Sequence, residues 1–393
     1  MDPLTALLDL SAADKKKQGL QHTPHEIAQQ PSTWITTFDS LLARRKQIST
    51  FLADAGVNAP ALERPTVFLI GAGTSDYIGQ SLHHLLRSRW QCEVIPVAST
   101  SLLTDFPEYI LSEKRYLWVS FSRSGDSPEG VAVLERRMAE HPKTSHILVT
   151  CNASGQMSKA VQGHPNCLSI VLDDATNDRG LAMTSSFTNM VLAGQILAHA
   201  WSVEEYEPIL RALVSAAEAL LPRAAELAAE LSRTGFSRAC FVGSSALAGA
   251  ALESSLKLLE LTAGKVRTMT QPTLALRHGP MAALDRDTLF VSLVSSQAQR
   301  RQYELDLLRE VASKDIVGIR VAVATDPDLL RADVDFVLTP GTKELVPDLY
   351  RPVLDVIFGQ LLGLFASIHS GLKPDVPSPN GVISRVVQNI DIH

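Results

Sequence analysis

The chain repeats its own pattern. An apolar run broken at glycine, TVFLIGAG at 66–73, leads into the periodic stretch YIGQSLHHLLRSRW. Further on, RACFVGSS at 238–245 leads into ALAGAALESSLKLLEL, and Gly71 corresponds to Gly243 at an offset of 172 residues. The same offset superposes YLWVSFSRS, from Tyr116, on TLFVSLVSS, from Thr288. A continuous apolar run that stops at glycine reads as a buried strand, and the 3.6-residue periodicity after it reads as a helix. Each half must therefore adopt the same plan.

Further apolar runs follow in both halves: SHILVTCN from 145 and CLSIVLDD from 167, then IVGIRVAVAT from 316 and VDFVLTPG from 334. Continuous apolar strands alternating with helices imply parallel sheets covered on both faces, hence an α/β, doubly wound unit in each half. Between the halves, EPILRALVSAAEALLPRAAELAAELSR is expected to form an Ala/Leu helix pair broken at Pro222. The expected division is a helical leader over 1–50, a first domain over 51–209, a second over 210–375 and a tail over 376–393. A chain of 393 residues carries a prior of about two to three domains, which agrees.

Charge narrows the partners. Lys plus Arg number 36 against 42 Asp plus Glu, a net charge of −6, and the isoelectric point is near 6.0. Nucleic acid is disfavoured, because binding it needs a clustered basic face. The N-terminus lacks the basic start, apolar core and small-residue cleavage site of a secretion signal. The apolar stretch at 353–372 is interrupted by Asp355, Gln360 and His369 and reads as a buried or interface helix rather than a span, so no membrane is expected. Cys92, Cys151, Cys167 and Cys240 show neither CxxC spacing nor a His-rich neighbourhood. That predicts no metal site, no disulfide framework and a reducing, cytoplasmic home.

In open parallel sheets the ligand sits beyond the carboxyl ends of the strands. There, SRSGDSPEG at 122–130 crowds Ser122, Ser124 and Ser127 around Gly125, with Pro128 suited to a first helical turn. Glycine lets the backbone approach a ligand, and the following helix offers free N–H groups and a positive dipole end, a setting for phosphate. Ser75, in the GAGTS turn after the first strand, could add a donor. The bland alternative is that Ser127 caps the helix and the other serines fill a polar turn. Neither turn fits a dinucleotide fingerprint or a P-loop.

In ALESSLKLLEL at 251–261, Glu253, Lys257 and Glu260 fall at i, i+4 and i+7, one stripe of a helix flanked by leucines. On an exposed helix this would be a solvated pair worth about 0.3 kcal/mol. The leucines Leu252, Leu256 and Leu259 on one side and Leu258 and Leu261 on the other instead place the stripe facing a cleft, where partial burial makes a carboxylate a better proton shuttle. Eighteen residues after Glu260, His278 stands beside Gly279 and Pro280 in a turn, able to exchange a proton near neutrality.

GAGTS, the SxSGxS turn, the ALExxLKLxE helix and the HGP turn together resemble the sugar isomerase (SIS) family in its two-domain form, as in the isomerase half of glucosamine-6-phosphate synthase. The resemblance covers about residues 22–390. The leader HTPHEIAQQPSTW and the ending PSPNGVISRVVQ are closer still to bacterial tagatose-6-phosphate aldose/ketose isomerases, also described as galactosamine-6-phosphate deaminases. The resemblance implies that Ser75, Ser122, Arg123, Ser124 and Ser127 hold a sugar phosphate, with Gly73 and Thr74 also against the substrate. It implies that Glu260 moves a proton between C1 and C2, that His278 opens the ring from a neighbouring subunit of a homodimer, and that Glu253 and Lys257 order the amino group, water and hydroxyls. Arg385 stands where the synthase has a carbonyl-contacting lysine; an arginine stays protonated and does not readily form a Schiff base. Ser185, within GLAMTSSF at 180–187, replaces another synthase lysine. With about 65 residues before the first strand and no cysteine before Cys92, a glutaminase domain is not expected.

The expected function is conversion of galactosamine 6-phosphate to tagatose 6-phosphate and ammonia, without a metal or redox cofactor. The rival readings are the glucosamine epimer, plain aldose/ketose isomerisation, and a sugar-phosphate sensor that does no chemistry.

Overall fold

The computed structural model describes residues 1–326, 333–339, 346–378, 380–387 and 390–393. Pro340 and Gly341 of VDFVLTPG, and Pro379 and Gln388 of the PSPNGVISRVVQ ending, lie outside the described residues.

The chain divides into two compact units, each with its own five-stranded sheet. The first comprises Ser32–Asn177, Ser185–Pro208 and Ile383–His393. Its strands are β1 (Thr66–Gly71), β2 (Val94–Ala98), β3 (Tyr116–Ser122), β4 (Ser145–Thr150) and β5 (Cys167–Val171), in the order β2-β1-β3-β4-β5. Every neighbouring pair is parallel. The second comprises Met1–Pro31, Asp178–Thr184 and Ile209–Val382. It holds β6 (Arg238–Gly243), β7 (Arg267–Pro272), β8 (Thr288–Leu293), β9 (Ile319–Val323) and β10 (Phe336–Leu338), again all parallel. Their order, β10-β9-β8-β6-β7, is the first sheet's order read from its other edge, so the repeat and the doubly wound class extend to the topology.

Two strands escape an apolar-run reading. β2 contains Pro96, and β7 reads RTMTQP with no residue fully buried. Both lie at a sheet edge, where a proline's missing donor is tolerated and one flank meets no neighbouring strand.

Pro222 does not break the connection. A single helix runs over Val203–Thr234. A proline inside a helix costs about 3 kcal/mol through a lost hydrogen bond and a clash with the carbonyl four residues back. Across it, however, Leu213, Ala216, Leu220, Ala224, Ala228 and Leu231 are all fully buried, and this uninterrupted apolar face outweighs the local penalty.

The expected leader is not one piece: its first 31 residues belong with the second sheet. Asp375 fastens them, accepting hydrogen bonds from the backbone N–H groups of Gln21 and Thr23 at 2.7 and 2.8 Å and from the Thr23 hydroxyl at 2.8 Å.

The apolar helix Pro352–His369 is the one helix among the described residues long and apolar enough to cross a membrane, and 89% of that window is buried inside the protein. It packs on the helix Ala246–Leu261. A Cβ at Gly359 would come within 2.3 Å of Ser254, and one at Gly363 within 2.9 Å of the Lys257 carbonyl, so these glycines set a close helix approach. The helix is covered by its own chain and therefore gives no support to a dimer.

Candidate functional site

In the first unit the strand-end turns are shaped by glycine. A Cβ at Gly71 would lie 2.3 Å from the Ser75 backbone, so only glycine lets β1 end so near the first turn of the helix Thr74–Trp90. Gly73 precedes that helix at φ +56°, and Thr74 and Ser75 are buried in its first turn. After β3, Gly125 takes φ +66°. Ser122 Oγ accepts from the Gly125 N–H at 3.0 Å and Ser124 Oγ from the Asp126 N–H at 3.2 Å. Ser127 occupies the N-cap position of the helix Pro128–Glu140 but makes no capping hydrogen bond with its side chain. The ordinary capping role is thus not what its hydroxyl does, and it remains at a helix N-terminus suited to an anion.

The turn is braced by residues that a motif reading misses. Asn152 Nδ2 donates to the Ser124 carbonyl at 2.7 Å, and the Gln156 N–H donates to Asp126 Oδ1 at 2.9 Å. Gly155 fits beneath, since its Cβ would lie 2.6 Å from the Ser124 carbonyl. The signal was present in the TCN that ends β4, another strand terminus.

Arg123, though in the serine turn, is buried, and its Nη2 donates to the Arg385 carbonyl at 2.5 Å. Arg385 Nη2 in turn donates to Asn177 Oδ1 at 2.7 Å. The structure thus groups Arg385 with the phosphate-shaped turn. Ser185 is fully buried, and its carbonyl accepts from Asn189 Nδ2 at 2.8 Å within its own helix.

In the second unit, the stripe on Ala246–Leu261 is not a solvated pair. Lys257 Nζ lies 3.2 Å from Glu253 Oε1 and 2.6 Å from Glu260 Oε2. The Glu253 and Lys257 side chains are enclosed, at 0% and 1% exposure, whereas Glu260 keeps 24%. Burial alone would lower the Lys257 pKa, but the two carboxylates outweigh it and hold the ammonium above its usual range. The outcome is a fixed cation presenting one accessible carboxylate. Of the leucines expected to wall a cleft, Leu258 and Leu261 are buried, Leu252 and Leu256 are half-buried, and Leu259 is exposed.

His278 lies between the 3-10 turns Thr273–Arg277 and Pro280–Ala283, next to Gly279 at φ +120°. It is exposed. Its backbone N–H donates to the Ala275 carbonyl at 3.0 Å. Among the described residues, no group of three or more His, Cys, Asp or Glu side chains could hold a metal ion.

No family model matches the chain. Individual relatives do. The D-galactosamine-6-phosphate deaminase AgaS of Escherichia coli is 32% identical over 374 residues, covering 94% of this chain and 95% of that protein. The corresponding protein of a Shewanella species is 31% identical over 98% of this chain and 95% of its own length. This chain belongs to the AgaS family. A solved tagatose-6-phosphate ketose/aldose isomerase from Escherichia coli superposes with a TM-score of 0.84 at 30% identity, over 94% of this chain and 96% of that one. AgaS-type proteins are thus matched along nearly their whole length, and the two sheets are two SIS domains.

Proposed function

We propose that the chain is an amino-sugar phosphate deaminase/isomerase converting D-galactosamine 6-phosphate and water to D-tagatose 6-phosphate and ammonia. The observation that carries this reading is the Lys257 clamp, which holds the Glu260 side chain at 2.6 Å and leaves it accessible as a base. A second support is the serine turn, whose Ser127 hydroxyl is not spent on capping.

In this reading Ser75, Ser122, Ser124 and Ser127 receive the phosphate, beside Gly73 and Thr74. Arg123 and Arg385 brace the turn and supply positive charge. His278 moves the proton that opens the pyranose. Glu260 then takes the C2 proton, made acidic by the C1 aldehyde, and returns it to C1 by way of an enolamine. The resulting C2 iminium adds water and expels ammonia, leaving the C2 ketone. Glu253 and Lys257, being enclosed, act through Glu260 rather than by touching the sugar; this departs from the ordering of substrate groups that the resemblance implies. The reaction so written draws on no cofactor.

The exposed His278 suits a homodimer in which this residue reaches the partner's site. Four free cysteines suit a cytoplasmic setting.

The test is ammonia release from galactosamine 6-phosphate and glucosamine 6-phosphate in parallel, with the ketose phosphates identified. Ammonia and tagatose 6-phosphate from the galacto epimer are expected. Ammonia from the gluco epimer alone would replace the substrate. Ketose/aldose interconversion without ammonia would leave a plain isomerase, and binding without turnover would leave a sensor.

A further inference from the structure

The first unit carries a second cationic feature at the other end of its sheet. Tyr116 opens β3 and Ser145 opens β4; at these amino ends lies a cavity of about 590 Å³. Its charged lining is Lys114, Arg115, Arg137 and Lys143 against Glu113 and Glu140. Glu140 is engaged by Arg136 at 3.0 Å, so cations dominate.

Arg137 is the unusual member. It is 3% exposed, and its Nε donates to Thr144 Oγ1 at 2.8 Å. Its Nη1 is enclosed with no hydrogen-bond partner; Glu140, three residues on, favours its charge from a distance, but no carboxylate among the described residues lies in salt-bridge contact with it. The guanidinium lies 5.0 Å from the Tyr116 ring centre and 5.4 Å from that of Trp118. Burial draws its pKa down to about 10, which leaves it charged at neutral pH. Around it, Trp118 Nε1 and both ring nitrogens of His146 are also enclosed without partners, and burial, then Arg137 and His164, bring the His146 pKa to about 3. A buried guanidinium edge left without a hydrogen-bond partner is costly. Such a cost is expected where a ligand supplies the missing acceptor.

We propose that this cavity is a second anion site, separate from the serine turn, that takes a small phosphate- or carboxylate-bearing metabolite with Arg137 as its buried anchor. A planar guanidinium with an unused edge matches an oxyanion's geometry, and Lys114 and Lys143 at the rim attract it from solvent. The anchor is nine residues along the helix Pro128–Glu140 from the serine turn, about 14 Å at 1.5 Å per residue. The ligand therefore sits at the far end of the helix whose first turn faces the substrate phosphate.

The experiment is calorimetric titration of the full chain carrying Ser124→Ala and Ser127→Ala, which weakens the first anion site, with inorganic phosphate and with citrate. Saturable binding of one of these anions is expected, weakened by about tenfold or more on adding Arg137→Gln. Whichever anion binds identifies the ligand class. Should Arg137→Gln fail to fold, the exposed pair Lys114→Gln and Lys143→Gln decides: it should weaken binding several-fold and flatten its salt dependence. Neither anion binding, or binding unchanged by these substitutions, would overturn the proposal.

Discussion

After β3 and after β8 the chain makes the same move, ending a strand in serines that feed a helix, yet the two turns have opposite fates. In the first, Ser122, Ser124 and Ser127 surround Gly125, and Ser127 makes no capping bond with its side chain. In the second, the equivalents of Ser122 and Gly125 are Val294 and Gln297, and the chain's own carboxylate fills the turn. Asp348 accepts from the Ser295 hydroxyl, from the Ser296 hydroxyl at 2.8 Å and from the Ser296 N–H at 3.0 Å. Arg351, itself buried, holds Asp348 at 3.1 Å and Asp355 at 2.6 Å. Burial would raise the Asp348 pKa, but these hydrogen bonds and the guanidinium hold it below the ordinary carboxylate range. The lesson is that a serine turn persists in both repeats: in the second an internal carboxylate closes it, and the first is the one proposed above to take an external anion. The half with the closed turn carries the Glu253, Lys257 and Glu260 stripe; at the corresponding positions the first half has Ser81, Leu85 and Ser88.

This division of labour can be broken in four places. Glu260→Gln should lower kcat for ammonia release by about 10²–10⁴-fold in protein that thermal unfolding shows to be still folded; full turnover would remove Glu260 as the base. Asp348→Ala leaves the buried Arg351 with Asp355 as its remaining carboxylate and the Ser295 and Ser296 donors unfilled, and should cost about 1–3 kcal/mol in denaturant unfolding, while leaving the KM for the sugar phosphate nearly unchanged in protein that remains folded. A KM increase as large as that of the serine variants would show that the two turns are not specialised. Ser124→Ala with Ser127→Ala should raise KM and weaken inhibition by inorganic phosphate by about tenfold or more, with kcat less affected, since each hydrogen bond to a charged group is worth about 1.5–3 kcal/mol.

The smallest effect concerns pH. Glu26 accepts from the N–H groups of Arg179 and Gly180. Burial, then repulsion from Asp178 and Asp375, raises its pKa from 4.5 to about 8. A carboxyl raised in the folded state favours folding while protonated. Its contribution is complete below pH 4.5 and is lost as pH rises through about 8. Glu26→Gln should flatten the stability profile across that window, and an unchanged slope in denaturant titrations at several pH values would reject this account.

Much of this was legible because it is local. The eight apolar runs, the glycines that end β1 and β6 and the i, i+4, i+7 stripe depend on residues a few positions apart, and periodicity reports them. β2 and β7 were not legible, because an edge strand owes its place to one neighbour and need not look apolar. The site was legible in part: the serine turn and the Glu/Lys/Glu helix showed their chemistry, but not which members are enclosed.

The sequence by itself determined the duplication, the doubly wound class, the candidate anion turn and the spacing that lets one lysine reach two glutamates. Tertiary structure decided that Glu253 and Lys257 are sealed while Glu260 stays accessible, that Pro222 rides inside a continuous helix, that Arg385 joins the serine turn, and that Asp348 closes its counterpart. Each of those outcomes rests on groups far apart in the chain, such as Ser295 with Asp348 or Arg123 with Arg385. Burial and long-range pairing, unlike periodicity, leave no trace in a local window.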